Sequence, residues 1–185
     1  MRTTPTLNAR LSGSRTRQRG LSAVEAAVAF AIGGSLLAVA VPAFVRELHA
    51  SRFAEPVEGL ARMGQGALAF AAGRPAKDAF PPSAPLTPAA PPRGTRELDP
   101  AGAWDHPSWV ALKFRAAPEG VPHAFAFAFD AVPATAGATR SAFVARAHGD
   151  LDGDGMRSTF ELRGHAQDGE PAVLEPGMYV ENEVE

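Results

Sequence analysis

The sequence predicts an α+β fold in which a long amino-terminal helix packs on an antiparallel sheet of four to five strands. Three observations lead to this prediction. Residues 26–45 form an uncharged apolar run. Apolar residues then recur every three or four positions as far as residue 72, as in an amphipathic helix. From residue 104 onwards they alternate with polar or small residues, which is typical of half-buried strands. One helix on one sheet is the simplest two-layer arrangement of such elements.

The composition narrows the class of protein. The chain has 185 residues and a formal net charge of −2. Residues 1–20 carry five arginines and no acidic residue, so the rest of the chain is acidic, which argues against nucleic acid as a partner. The absence of cysteine excludes disulfides, thiolate metal ligands and a cysteine nucleophile. We find no nucleophile motif, phosphate-binding loop or zinc-ligand spacing, so the sequence indicates a protein that is not an enzyme.

The amino-terminal residues are typical of a basic segment followed by a membrane-spanning helix. Residues 1–20 are rich in serine, threonine, arginine and glycine and lack apolar periodicity, so we expect disorder there. As a helix, the apolar run that follows would span about 30 Å, roughly the hydrocarbon core of a bilayer. A basic segment before such a run is typical of the cytoplasmic side of a membrane. We therefore expect one transmembrane segment at about residues 21–45, with the remainder of the chain outside the cytoplasm.

The predicted helix covers residues 21–72, and its second half is amphipathic. Because proline removes a backbone hydrogen bond, we expect Pro42 to kink or loosen this helix, and Pro56 could break it. The apolar stripe of the helix consists of Phe44, Leu48, Phe53, Val57, Leu60, Met63, Ala67 and Ala71.

Beyond the helix, residues 73–103 are rich in proline and are expected to form a long loop, since proline is excluded from regular helices and inner strands. Residues 104–185 are expected to form the sheet domain. Trp104, Trp109 and the row of Phe125, Phe127 and Phe129 are interpreted as core residues. The predicted strands cover residues 109–114, 123–130, 141–148, 159–164 and 177–184.

The motif at the start of the apolar run is Gly20-Leu21-Ser22-Ala23-Val24-Glu25. It resembles the processing site of type IV pilins and pilin-like proteins, namely minor pilins and pseudopilins. In that family a prepilin peptidase cleaves after the glycine, the new first residue is N-methylated, and the fifth mature residue is glutamate. The resemblance implies that residues 1–20 are a cleaved leader, that Leu21 is N-methylated, and that Glu25 is the fifth residue. Leu21 departs from the phenylalanine usual in the family.

Other stretches resemble the pilin-like proteins of myxobacteria, namely residues 80–88, 149–155 and 180–185. The resemblance implies a structural subunit of a type IV pilus or related filament. Its partners would be other pilin subunits, prepilin peptidase, the inner-membrane assembly platform and membrane lipid. The subunit would be a single-pass inner-membrane protein first and part of a pilus at the cell surface later.

Three alternatives stay open at this point. A type II secretion pseudopilin would share the helix and the processing site. A secreted protein could be released by signal peptidase after Ala43, where small residues precede the cut. A membrane-anchored calcium-binding module that does not form filaments would keep its amino terminus uncut.

Glu25 is the only charged residue within residues 21–45. A lone carboxylate there is costly, because an apolar environment disfavours its ionised form. The family resemblance implies that Glu25 pairs with the terminal amine of a neighbouring subunit and so sets the axial register of the filament. The alternative is a carboxylate that reaches the lipid headgroups.

Residues 150–161 match the spacing of an EF-hand-type calcium loop. The matching positions are Asp150, Asp152, Asp154, the carbonyl of Met156, Ser158 and Glu161. The flanks predict strands rather than helices, and an extended chain would carry Glu161 about 10 Å away from the ion, which argues against this ligand. The alternative to a Ca²⁺ site is a solvated turn rich in aspartate and glycine.

Overall fold

The computed structural model describes residues 22–134 and 139–182, without the side chains of residues 45–52. The predicted leader and processing site, including Gly20 and Leu21, lie outside the described residues. The chain divides into two units, one ending at Val45 and one beginning at Arg46, and each is considered by itself below.

The α+β class and the antiparallel sheet are confirmed, and the described residues form six strands rather than four or five. The helices are α1 (Ala23–Ala71) and α2 (Pro107–Leu112), and a 3-10 turn covers Ala76–Asp78. The strands are β1 (Ala84–Thr87), β2 (Phe125–Val132), β3 (Arg140–Gly149), β4 (Ser158–Gln167), β5 (Val173–Leu174) and β6 (Tyr179–Glu181).

The first unit contains the amino-terminal part of α1. Ala23–Phe44 is a stretch of 22 residues with a mean hydropathy of 2.1, and none of it is buried. It is long and apolar enough to cross a membrane. This part of α1 continues through Pro42.

In the second unit, side chains of α1 and of the sheet share one buried cluster. Leu60, Met63 and Ala67 of α1 are fully buried in it. A Cβ atom added at Gly59 would lie 2.5 Å from Cε1 of Phe127, so glycine permits a close approach of the helix backbone to β2. Val57 was expected in the apolar stripe but is 42% exposed, so the prediction is wrong at this residue.

The helix does not break at Pro56, which is buried within α1. A proline inside a helix removes one backbone hydrogen bond and crowds the preceding turn. Burial of the neighbouring Gly59 and Leu60 compensates, because tertiary packing contributes more to helix stability than intrinsic propensity does.

The sheet has the order β1-β2-β3-β4, with β5 and β6 both paired to β4, and every pairing is antiparallel. β2 and β3 pair from Phe125–Gly149 to Val132–Ala142. Because side chains alternate between the two faces of a strand, one face supplies the core. Its buried apolar residues are Phe125, Phe127, Phe129, Phe143, Ala145, Ala147, Phe160 and Leu162.

The predicted strand at residues 109–114 is wrong, because α2 covers most of it. Pro107 occupies the first turn, and the side chain of His106 accepts the N–H of Ser108, so a helix start is present. Trp109 and Leu112 are buried while Val110 is 64% exposed. The apolar residues therefore follow a three-residue spacing, not the alternation that the pattern suggested.

The short strands β1 and β5 were not predicted. β1 lies within the proline-rich segment and, in the part of the chain that the structure describes, pairs only with β2, so it forms an edge of the sheet there. This position agrees with the exclusion of proline from inner strands.

Polar side chains of α1 also form hydrogen bonds with backbone groups that are distant in the sequence. Glu55 accepts the N–H groups of Ala124 at 2.8 Å and Phe125 at 3.1 Å and pairs with Arg96. Arg62 donates to the carbonyl of Ala116 at 2.7 Å. These contacts fix the start of β2 and the segment before it against the helix.

Candidate functional site

The start of α1 is fixed by two reciprocal hydrogen bonds between Ser22 and Glu25. The N–H of Ser22 donates to Oε2 of Glu25 at 2.8 Å. The N–H of Glu25 donates to Oγ of Ser22 at 3.2 Å. This is a capping box, in which each side chain satisfies a backbone donor that the first helical turn leaves free.

The capping box gives Glu25 a partner within its own chain, which the sequence analysis did not identify. The Ser-x-x-Glu spacing of Ser22 and Glu25 was the signal that could have revealed it. The arrangement also suits the helix dipole, since a carboxylate in the first turn lies close to the positive end.

The second candidate lies between β3 and β4, at the turn that contains the three predicted calcium ligands. One carboxylate oxygen from each of Asp150, Asp152 and Asp154 lies within 4.8 Å of the others. Asp150 is only 2% exposed, whereas the other two are exposed. The structure therefore brings these three side chains together, as the spacing predicted.

Backbone N–H groups within the turn bind one oxygen of each carboxylate. Gly153 donates to Asp150 at 2.9 Å, Asp154 donates to Asp152 at 3.1 Å, and Met156 donates to Asp154 at 2.6 Å. These bonds reduce the repulsion among the three charges and orient them. Gly153 has a φ of +83°, which is a conformation that favours glycine.

Arg93 is a member of this site that the sequence did not reveal. Its Nε lies 3.7 Å from Oδ2 of Asp150, and the next residue, Gly94, donates its N–H to the carbonyl of Asp150 at 2.8 Å. The proline-rich segment is thus attached to the turn. No local pattern in the sequence signals a contact between residues so far apart.

Two of the other predicted ligands are engaged elsewhere. Ser158 is buried, and its hydroxyl donates to the carbonyl of Gly149 at 3.4 Å. Glu161 lies within β4 and accepts from Arg146 at 2.7 Å and from Arg163 at 2.8 Å. Met156 lies in the turn, and its N–H binds Asp154.

The pKa of Glu161 shows which environment governs that side chain. Burial acts to raise this pKa, but the hydrogen bonds and positive charges of Arg163 and Arg146 outweigh it and hold it below its ordinary value. Glu161 is therefore a carboxylate of an arginine network on the sheet, which the sequence did not predict.

His106 and His148, which lie near Asp105 and Asp150 in the sequence, have local contacts. His106 caps α2, and Nδ1 of His148 lies 3.0 Å from Oγ1 of Thr159. Burial, followed by the charges of Arg157 and Arg146, lowers the pKa of His148.

No protein-family model, no curated protein and no solved structure is significantly similar to this chain.

Proposed function

We propose that this protein is a structural subunit of a type IV pilus or a related filament. The observation that carries the proposal is the position of Glu25 in the first turn of an apolar helix, directly after Gly20-Leu21-Ser22. Cleavage after Gly20 would place a new amino group at Leu21, four residues before Glu25. A helix with this start needs a cation for its carboxylate once it leaves water.

Assembly provides that cation. The apolar part of α1 holds the subunit in the inner membrane with the second unit outside the cytoplasm. Prepilin peptidase removes the leader, and the assembly platform moves the subunit into the filament. There Glu25 pairs with the terminal amine of a neighbouring subunit, while the apolar helices pack together. A buried ion pair of this kind contributes more to specific register than to net stability.

The capping box orients Glu25 before assembly in this scheme. Oε2 of Glu25 is held by Ser22 before assembly, so the carboxylate is oriented at the helix start rather than mobile. Its second oxygen remains for the amine of the neighbour. One carboxylate can accept from both groups, because its two oxygens provide about four acceptor sites.

Mass spectrometry of the mature amino terminus tests the proposal. We expect a chain that begins at N-methylated Leu21. A chain that begins at Phe44 would show release by signal peptidase, and an uncut chain would show a permanent anchor; either result contradicts the proposal.

The role of Glu25 is tested by Glu25→Ala. We expect this variant to be inserted and processed but absent from sheared filaments. Ser35→Ala, which changes a polar residue of the same apolar helix, serves as the control and should enter filaments normally. Normal incorporation of Glu25→Ala would refute the register role.

We also propose that the turn at residues 150–156 binds Ca²⁺. The supporting observation is the convergence of three carboxylates within 4.8 Å, one of them buried. Oxygen donors of this kind suit Ca²⁺, and the carbonyl of Met156 lies in the same turn. The exposed Arg93 supplies one positive charge against the three carboxylates, so a net negative charge remains for a cation.

Thermal unfolding of the full chain in detergent tests the calcium proposal. We expect Ca²⁺ to raise the melting temperature relative to a chelator, and Asp152→Ala to remove this difference. Glu161→Gln should lower stability but keep the response to Ca²⁺, because Glu161 lies in the arginine network. Equal melting of the unchanged chain with Ca²⁺ and with chelator would show a solvated turn instead.

A further inference from the structure

His123 and Asp99 form a buried pair in the second unit. His123 is 2% exposed, and the side chain of Asp99 is 10% exposed. Nε2 of His123 lies 2.8 Å from Oδ1 of Asp99, and Nδ1 of His123 lies 2.8 Å from the carbonyl oxygen of Phe125. The indole N–H of Trp104 donates to the other oxygen of Asp99 at 2.6 Å. Each nitrogen of the buried ring therefore faces an oxygen atom.

These two oxygens determine how many protons the ring of His123 needs. A carbonyl oxygen only accepts hydrogen bonds, and so does an ionised carboxylate. A neutral imidazole has one N–H group, so its other nitrogen would present a lone pair to an oxygen at 2.8 Å. Such a contact between two buried acceptors is costly. With a proton on each nitrogen, both contacts are hydrogen bonds, and the one with Asp99 is also an ion pair.

The carboxylate of Asp99 does not hold this proton, because imidazole is the stronger base of the two groups. Among the described residues, no lysine or arginine lies within ion-pair distance of Asp99, so His123 is the group that can balance its charge. Other charged side chains line the spaces beside the pair, with two of each sign in each space. On the His123 side these are Glu55, Glu58, Arg62 and Arg96, and on the Asp99 side they are Asp105, Lys113, Arg115 and Glu119.

The pair attaches the proline-rich segment to the chain that leads into β2. The backbone groups of Glu97 and His123 exchange two hydrogen bonds of 3.0 Å, while the side chain of Glu97 is exposed. Asp99 follows two residues later and also binds Trp104, which belongs to the buried cluster. Loss of a proton from His123 would therefore replace a hydrogen bond by repulsion at the point where the two segments meet.

We propose that His123 holds a proton on both ring nitrogens in the folded protein, and that this makes the attachment of the proline-rich segment a pH-sensitive switch. In the unfolded chain a histidine is mostly neutral above about pH 7.5, so folding takes up one proton there. The pair contributes its full stabilisation in mild acid, and this contribution falls as the pH rises. The inference does not depend on the proposed filament function.

Urea unfolding of the full chain in detergent at about pH 7.5 and 8.5 tests the uptake of a proton. One proton bound on folding should raise the equilibrium constant of unfolding about tenfold per pH unit. Burial lowers the pKa of His148 and the charge of Glu181 raises that of Tyr179, so neither group changes its charge in this range. Equal stability at the two pH values would overturn the proposal.

Asp99→Asn tests whether the proton belongs to this pair. The carboxamide can donate to Nε2 of a neutral imidazole while its oxygen accepts from Trp104, so this variant needs no extra proton. We expect it to lose the tenfold dependence on pH. Asp105→Asn makes the same change at an exposed position nearby and should keep the dependence. A tenfold change that persists in Asp99→Asn would assign the proton to another group.

Nuclear magnetic resonance of the unchanged chain gives a test that needs no substitution. The full chain is labelled with ¹⁵N and studied in detergent micelles at about pH 8, where exposed histidines are neutral. We expect two N–H groups on the ring of His123, which is assigned through its neighbours in the sequence. A single N–H group on this ring would overturn the proposal.

Discussion

Gly59 of α1 lies against Phe127 of β2 so closely that a methyl group at Gly59 would come within 2.5 Å of the ring. Gly59→Ala should therefore destabilise the second unit by about 1–3 kcal/mol, as overpacking does, although alanine is the better helix former by about 1 kcal/mol. Urea unfolding of the full chain in detergent, followed by tryptophan fluorescence, measures the change.

The second substitution Phe127→Leu makes this test specific. It removes the ring atoms that a methyl group at position 59 would meet, so the double variant should be more stable than the sum of the two single effects predicts. Additive effects would show that Gly59 and Phe127 do not interact.

Glu55→Gln should destabilise the protein much more than Glu58→Gln. Glu55 accepts two backbone N–H groups and pairs with Arg96, and bonds to charged groups contribute about 1.5–3 kcal/mol each. Glu58 is exposed on the same helix, which makes it a matched control. Comparable unfolding midpoints for the two variants would contradict this role of Glu55.

Ser22→Ala should weaken the first turn of α1. Loss of an N-cap side chain costs about 1 kcal/mol, so hydrogen exchange of the Glu25 amide should become about fivefold faster in detergent micelles. Ser35→Ala is the control, because the Ser35 hydroxyl donates to the carbonyl of Ala31 within the helix. An unchanged exchange rate for Ser22→Ala would argue against the capping box.

His148 should make the protein less stable in mild acid. Since burial lowers its pKa, the unfolded chain takes up a proton near the ordinary value of about 6.5 while the folded chain still resists it. The free energy of unfolding should fall as the pH drops from 7.5 to 5. His148→Gln should reduce this dependence in urea titrations at three pH values, and identical slopes for the two chains would refute the assignment.

The strands that the sequence predicted best are those with the clearest alternation. β2, β3 and β4 place Phe127, Phe143 and Phe160 on one face, and a period of two leaves little choice of structure. The prediction of a strand that begins at Trp109 was wrong. The few apolar residues there fit both the two-residue period of a strand and the three- to four-residue period of a helix, and the helix start at His106 and Pro107 decides for the helix.

The candidate sites divide in a similar way. Asp150, Asp152 and Asp154 are close in sequence, so their convergence followed from spacing alone. Arg93 reaches the same turn from a distant segment, and such a contact depends on the whole fold. Ser22 and Glu25 have the Ser-x-x-Glu spacing of a capping box, so the residue that binds the carboxylate was predictable from the sequence as well.

The hydrogen bonds of Glu55 and Arg62 join α1 to residues that are synthesised much later than the helix. Glu55 binds an N–H group 70 residues further along, and Arg62 a carbonyl 54 residues further. The helix is therefore translated long before its partners. Until the partners are made, the side chains of α1 that are buried in the folded protein stay exposed. Contacts so distant in sequence slow folding, because a long loop must close before they form. A chain truncated before Phe125 would retain the apolar helix but could not complete the domain that covers its second half.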